Sequence, residues 1–335
     1  MKKLTLALLF SGLATSALAM DPMPREAGFS GFVSLGAAGG LVKSNFLAQV
    51  LNVDLSNDTI YVYDSPDQTN IIIPSFDYNV GYTFDSKKTR VYLGTAVENA
   101  IDFSSNTVLA VRHDFDALGS IELAGLAPSA AQVEVWSNPY LLGQKRKSTD
   151  FSSSGGRITW DKILGSEFEL IANVRKINID DELSGQDLGL TTAQQKLLDR
   201  EGDVSRYELG YAARLSGGDL TVRPSVAYID RNLDGNAMAQ DGYELGVSFL
   251  YDTPDYKWLN RAVYQDLNGD QENPIFNQKN DAQVYVLASE LRILNPFGLD
   301  KWTTTLGVQW AENSADINFN KSSVAMFSAR IGRSF

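Results

Sequence analysis

Polar and apolar residues alternate strictly along much of this chain, in segments of about ten residues separated by turn formers. A period of two puts successive side chains on opposite faces of a β-strand. In the segment from Phe76 to Phe84, the residues Phe76, Tyr78, Val80, Tyr82 and Phe84 form one face, and Asp77, Asn79, Gly81 and Thr83 form the other. Tyr243, Leu245, Val247, Phe249 and Tyr251 repeat the pattern, as do Tyr207, Leu209, Tyr211, Ala213 and Leu215. The segments predict strands near 29–39, 74–84, 89–97, 107–115, 120–142, 154–160, 167–177, 204–215, 219–229, 241–251, 256–265, 281–293, 301–310 and 323–335. The stretch 120–142 is irregular, because Pro128 interrupts it and Pro139 lies beyond a comfortable ladder position.

Alternation alone also suits a soluble sandwich, and three further features separate the two. Phe76 and Phe84, Tyr243 and Tyr251, Trp302 and Trp310, and Phe327 and Phe335 are pairs eight residues apart on one face. Eight residues of tilted strand rise roughly 20 Å, which sets each pair at the two edges of an apolar band about 25 Å tall. Connectors also alternate between tight ones (85–88, 116–119, 161–166, 216–218, 252–255, 295–300) and long ones (40–73, 178–203, 230–240, 266–280), the sorting expected of short periplasmic turns and long external loops. Finally, the chain ends in an amphipathic segment with Ala325, Phe327, Ala329, Ile331 and Phe335 on one face, although Arg333 interrupts it. A last strand ending in Phe resembles the signal read by the outer-membrane barrel assembly machinery.

The expected fold is therefore all-β: a transmembrane, antiparallel, up-and-down β-barrel of 14 strands, with 12 as the alternative. An even number returns both ends to the periplasmic side. Residues 1–19 form the expected signal peptide, with Lys2 and Lys3, an apolar run from Leu4 to Leu13, and the small-x-small site Ala17-Leu18-Ala19. That run is too short for a spanning helix, which needs about 20 apolar residues. Residues 20–335 then form the barrel, with no linker to divide it, and the expected location is the outer membrane of a Gram-negative cell, among its lipid and lipopolysaccharide.

Composition narrows the chemistry. The chain has no cysteine, one histidine and a formal charge of −12. So acidic a chain is a poor partner for nucleic acid, which is held mainly by neutralising phosphates. A mean hydropathy of −0.17 is consistent with a barrel, where only alternate strand residues meet lipid. His113 stands between Arg112 and Asp114 and forms no triad; it reads as an interfacial residue near the periplasmic end. No catalytic, cofactor or metal site is expected. The acidic stretches 230–236 and 266–272 could ligate calcium, but solvated turns are the better reading, since the glycine is misplaced for an EF-hand loop.

If the apolar face meets lipid, parity turns the ionic residues inward, where they avoid about 2–4 kcal/mol each at mid-bilayer. The candidate pore-lining set is Asp77, Arg90, Glu98, Arg157, Glu169, Arg175, Arg206, Glu208, Arg214, Arg223, Glu244, Glu290, Arg292 and Arg330. Small inward residues (Gly81, Gly94, Gly210, Ala212, Gly246, Ser248, Gly307, Ser328) suggest space beside the wall. The segment 191–200 suits a short helix, either a partial plug or an exposed cap.

The run from Val135 to Tyr140 with Gly143, then Thr149-Asp150, Gly156 and the run from Trp160 to Ser166, together with Asp180 to Gly185 and Leu197 to Arg200, resembles a family of Gram-negative outer-membrane barrels of unknown function. The resemblance implies a barrel and an outer-membrane location and supplies no substrate. The leading expectation is a porin-like channel for small hydrophilic solutes. The alternative is a surface adhesin, receptor or structural barrel acting through the loops 40–73 and 178–203. An outer-membrane enzyme is the remaining rival, with no candidate residue.

Overall fold

The computed structural model describes residues 23–99, 104–128 and 133–335. The expected signal peptide lies outside the described residues. Fourteen antiparallel strands close on themselves: β1 (Gly28–Lys43), β2 (Gln68–Thr83), β3 (Thr89–Asn99), β4 (Ser104–Asp114), β5 (Ser120–Pro128), β6 (Ser148–Asp161), β7 (Phe168–Ile179), β8 (Gly202–Tyr211, continued by Ala213–Leu215), β9 (Leu220–Leu233), β10 (Gln240–Asp252), β11 (Tyr256–Gly269), β12 (Ala282–Leu294), β13 (Trp302–Ala315) and β14 (Ser322–Ser334). Each strand pairs with its neighbours in sequence, and β1 pairs with β14 from Phe32↔Ser334 to Lys43↔Ser323. The last rung carries the closure to the C-terminus: Phe335 donates its N–H to the Gly31 carbonyl at 3.0 Å and accepts from the Gly31 N–H at 3.2 Å.

Parity sorts the wall as the sequence predicts. Leu109, Leu123, Ile158, Val226, Leu245 and Leu287 face outward and are exposed. The aromatic pairs sit on that same face, and many meet across rungs. Phe29 and Tyr82, and Phe168 and Tyr211, are edge-to-face with centroids 5.1 and 5.0 Å apart. These four lie at the end that carries the tight turns. Tyr228 with Tyr243, and Tyr264 with Tyr285, do the same at the other end, at 5.6 and 5.4 Å. Aromatic pairs directly opposite one another stabilise a sheet by roughly 0.2–1 kcal/mol each.

The turns at one end are as tight as the sequence implies, and four contain single 3-10 turns: Asp116–Leu118, Ile163–Gly165, Ser216–Gly218 and Pro296–Gly298. His113 lies here, its Nδ1 2.7 Å from the Thr89 hydroxyl and its ring against Phe115.

The long-loop end departs from expectation. Strands β1 and β2 run further than the sequence reading allowed, so the first external loop spans 44–67 rather than 40–73. That loop turns inward as a small hairpin, Leu47–Val50 with Val53–Asp54. The irregular stretch 120–142 resolves into β5, then a separate short strand Val133–Trp136. The latter pairs with the top of β6 at a register three residues out from β5, after the undescribed residues 129–132. The inward hairpin docks on it, Val50 opposite Val133 and Leu47 opposite Val135.

If the outward face meets hydrocarbon, Leu245→Arg should lower stability by about 2–4 kcal/mol, read from urea unfolding in phosphatidylcholine vesicles. An unchanged unfolding free energy would place Leu245 in water and contradict the orientation of the whole wall.

Candidate functional site: a charged inner wall under a loop cap

Inward parity brings most of the candidate residues together, and register decides which meet. Across β7 to β11 the ions form one chain along the wall. Arg223 is shared between Glu169 and Glu208. Arg206 bridges Glu208 and, at 2.6 Å, Glu244. Arg261 approaches Glu244 at 3.6 Å, and the Gln265 amide donates to Glu244 at 2.8 Å. Glu169, Glu208, Arg223 and Glu244 are all buried. Ions this deep are tolerated only where partners and hydrogen bonds replace water.

A second group lies where the barrel closes. Arg330 pairs with Glu290 at 2.7 Å and reaches the Ser75 hydroxyl at 3.5 Å. Arg292 lies 3.3 Å from Glu290 and covers the ring of Phe32. Asp77 is held by the Thr95 hydroxyl at 2.7 Å. A third, smaller pair is Arg157 with Glu122 at 3.5 Å. Arg90 donates to Asn79 at 2.9 Å and lies over the Tyr92 ring; Arg175 reaches Ser153 at 3.3 Å.

Two candidates stand apart. Arg214 is exposed at the tight-turn end of β8, too far along the strand to join the ionic chain. The Glu98 side chain lies outside the described residues. Three participants were missed by the sequence reading although parity would have turned each inward: Arg112, Glu122 and Arg261.

The inward glycines do not leave open space. A Cβ on Gly210 would stand 2.8 Å from Arg223 Nε, and one on Gly81 would stand 2.8 Å from Arg90 Nε. Both arginines lie flat over a neighbouring strand because the glycine has no side chain there. At Gly246 and Gly307 the neighbours are the hydroxyls of Ser225 and Ser328.

Nor is the interior polar throughout. Tyr92, Ala96, Val108, Ala110, Ala124 and Leu126 form an apolar sector on the inner faces of β3 to β5. Higher up, Ala38, Val42, Ile71, Ile73, Val324 and Met326 receive the inward hairpin through Leu47, Val50 and Leu55. Alternation reads such residues as lipid-facing only until the run Ile71-Ile72-Ile73, where both faces are apolar: Ile72 points out at 79% exposure while Ile71 and Ile73 are buried.

The loops close over the mouth. Phe46, Tyr63, Tyr140, Phe276 and Phe319, from four different loops, pack with ring centroids 5.4 to 6.2 Å apart. Leu188, Leu190 and Leu198 join from the 180–201 loop, and Met238 from the loop after β9. Because these loops leave the rim on different sides, their meeting spans the opening. Arg146 ties the arrangement together. Its guanidinium donates to the carbonyls of Asn45 at 2.9 Å, Pro139 at 3.1 Å and Asn57, and stacks on Trp136; burial pushes it down to about 10. Arg200 pairs with Glu182 at 2.7 Å, and burial raises the Glu182 carboxyl against that partner. The predicted helix is present as α1 (Thr192–Lys196), begun by a capping box between Thr191 and Gln194. It belongs to the cap, with Leu198 just beyond it buried.

This geometry defines a class: a closed 14-strand barrel of transmembrane type, lined by ions and capped by its loops. The chain belongs to the family described as "Protein of unknown function (DUF2860)", whose model matches residues 28–333. No curated protein matches it. Among solved structures it resembles the outer membrane channel DcaP of Acinetobacter baumannii, at 11% identity over 97% of this chain and 100% of that one, with a TM-score of 0.45. It also resembles the CymD monoaromatic hydrocarbon channel, at 9% identity over 93% and 89%, with a TM-score of 0.46. A FadL homologue of Pseudomonas aeruginosa is similar at 9% identity over 92% and 89%, with a TM-score of 0.39. Likenesses this distant assign no solute.

Removing Arg223 leaves two buried carboxylates facing each other. Arg223→Met is expected to cost about 3–5 kcal/mol in chemical unfolding, and adding Glu169→Gln and Glu208→Gln should recover most of the loss. A triple variant as unstable as the single one would show that packing, not charge pairing, holds this wall.

Proposed function

We propose that the protein is an outer-membrane channel of Gram-negative cells that passes small hydrophilic solutes along its charged inner wall, with the loop cap restricting entry. The observation that carries the reading is the continuous ion chain from Glu169 to Arg261 on the inside of a closed barrel. Buried ion pairs add little net stability compared with apolar packing, so a wall needing only stiffness has cheaper solutions. Fixed charges of both signs beside an enclosed passage orient and select polar solutes. Under this reading Asp77, Arg90, Arg157, Glu169, Arg175, Arg206, Glu208, Arg223, Glu244, Glu290, Arg292 and Arg330 line the passage. Arg112, Glu122 and Arg261 join them, and Arg214 marks the periplasmic exit.

The barrel's partners are outer-membrane lipid and lipopolysaccharide on its apolar face, and the assembly machinery through the terminal strand ending at Phe335. The adhesin or receptor alternative is less well supported, because Phe46, Tyr140, Phe276 and Phe319 pack against one another over the mouth, although Tyr61 and Val62 of the first loop stay exposed.

In planar bilayers the intact protein should give small single-channel steps. Deleting the inward hairpin, residues 47–55, should enlarge them several-fold, and Arg206→Gln with Arg261→Gln should shift the ion selectivity toward cations. If neither the intact protein nor the hairpin deletion conducts while both fold, the channel reading is wrong.

A further inference from the structure

Among the described residues, the inner wall repeats one ionic arrangement twice. On β8, Arg206 and Glu208 stand two residues apart on the inward face, and Glu208 also meets Arg223 from β9. On β12, Glu290 and Arg292 stand two apart in the same way, 3.3 Å from each other, and Glu290 also meets Arg330 from β14 at 2.7 Å. Each glutamate thus lies between two guanidiniums, one from its own strand and one from another.

The two guanidiniums of a set differ in exposure, and the difference has the same sense in both. The side chains of Arg223 and Arg330 are each 2% exposed, and those of Glu208 and Glu290 are 0% and 5% exposed. Arg206 keeps 23% and Arg292 keeps 28%. Both sit on the inward face of a closed wall, so the surface they keep faces the enclosed space.

Neutralising the wall does not call for these exposed members. A buried carboxylate needs a partner in place of water, and Arg223 and Arg330 already supply one to Glu208 and Glu290. Glu244, the other carboxylate that Arg206 touches, is also approached by Arg261 at 3.6 Å and receives the Gln265 amide at 2.8 Å. Holding a long arginine side chain in place loses rotamer freedom, so a second one on the same carboxylate opposes folding without filling a need of the wall. The further carboxylates of these sectors, Glu169 and Asp77, are buried as well. Charge is therefore layered, with carboxylates set back in the wall and guanidinium edges in front of them.

A guanidinium edge offers paired N–H donors that match two oxygens of a carboxylate or phosphate. We infer that Arg206 and Arg292 are two stations of an anion-binding lining, which takes small carboxylates or phosphates. The inference names a solute class for the channel proposed above; it rests on that reading for passage but not for binding.

Two measurements on the full-length protein keep binding and passage apart. In detergent micelles, calorimetric titration should show saturable binding of citrate, inorganic phosphate or both, and none of glucose; which of the two anions binds tells carboxylate from phosphate. Arg206→Gln and Arg292→Gln should each weaken that binding at least threefold, and the corresponding lysine variants should restore part of it. In planar bilayers under a potassium chloride gradient, chloride should permeate at least threefold better than potassium, and Arg206→Gln with Arg292→Gln should bring the ratio to about one or below. Anion binding without conductance would keep the stations and remove the channel. Conductance of the intact protein that favours potassium would keep the channel and overturn the stations. So would binding of neither anion, or binding left unchanged in both folded glutamine variants.

Discussion

Hydrocarbon offers no hydrogen bonds, so every backbone amide in a membrane-spanning sheet must find its partner within the sheet. The rest of this structure follows from that constraint. It forces β14 back onto β1 and ties Phe335 to Gly31 as the last backbone link. It sets the two-faced pattern of each strand, because a wall with lipid on one side and enclosed groups on the other admits one side-chain period.

Closure creates an interior whose contents are then a separate problem. On β7 to β11 the solution is ionic. There Arg206, Arg223 and Arg261 each meet a glutamate on another strand or their own, with Gly210 vacating the surface on which Arg223 lies. On β3 to β5 the solution is apolar, and at the top of β1, β2 and β14 an inward hairpin supplies the packing. The mouth is closed by aromatic rings and by Arg146, whose charge is satisfied by backbone carbonyls from two loops. The two inner sectors differ in chemistry: one presents fixed charge, the other an apolar surface.

Much of the barrel was legible in the sequence because its period is local. Fourteen strands, the outward aromatics and the tight turns can each be read from ten residues at a time. The inward placement of Glu208 or Arg223 follows from parity alone. What parity does not supply is the partner. Glu169 and Arg223 are 54 positions apart, and only the registers of β7, β8 and β9 bring them together. The cap was illegible for the same reason, since Phe46, Tyr140, Phe276 and Phe319 carry no periodic pattern and meet only once the barrel has arranged its loops. The apolar inner sector carries no mark of its own in the sequence, because alternation equates apolar with outward. The run Ile71-Ile72-Ile73 was the one local sign that a strand can be apolar on both faces.

The account stands or falls on which face of the strands meets lipid. Nitroxide labels placed one at a time from Gly242 to Leu250 on β10, in phospholipid bilayers, measure that directly through collisions with oxygen, which concentrates in hydrocarbon. Oxygen accessibility should rise and fall with a period of two, high at Tyr243, Leu245, Val247 and Phe249 and low at Glu244, Gly246 and Ser248. A profile without that period, or one with its maxima at Glu244, Gly246 and Ser248, would contradict it.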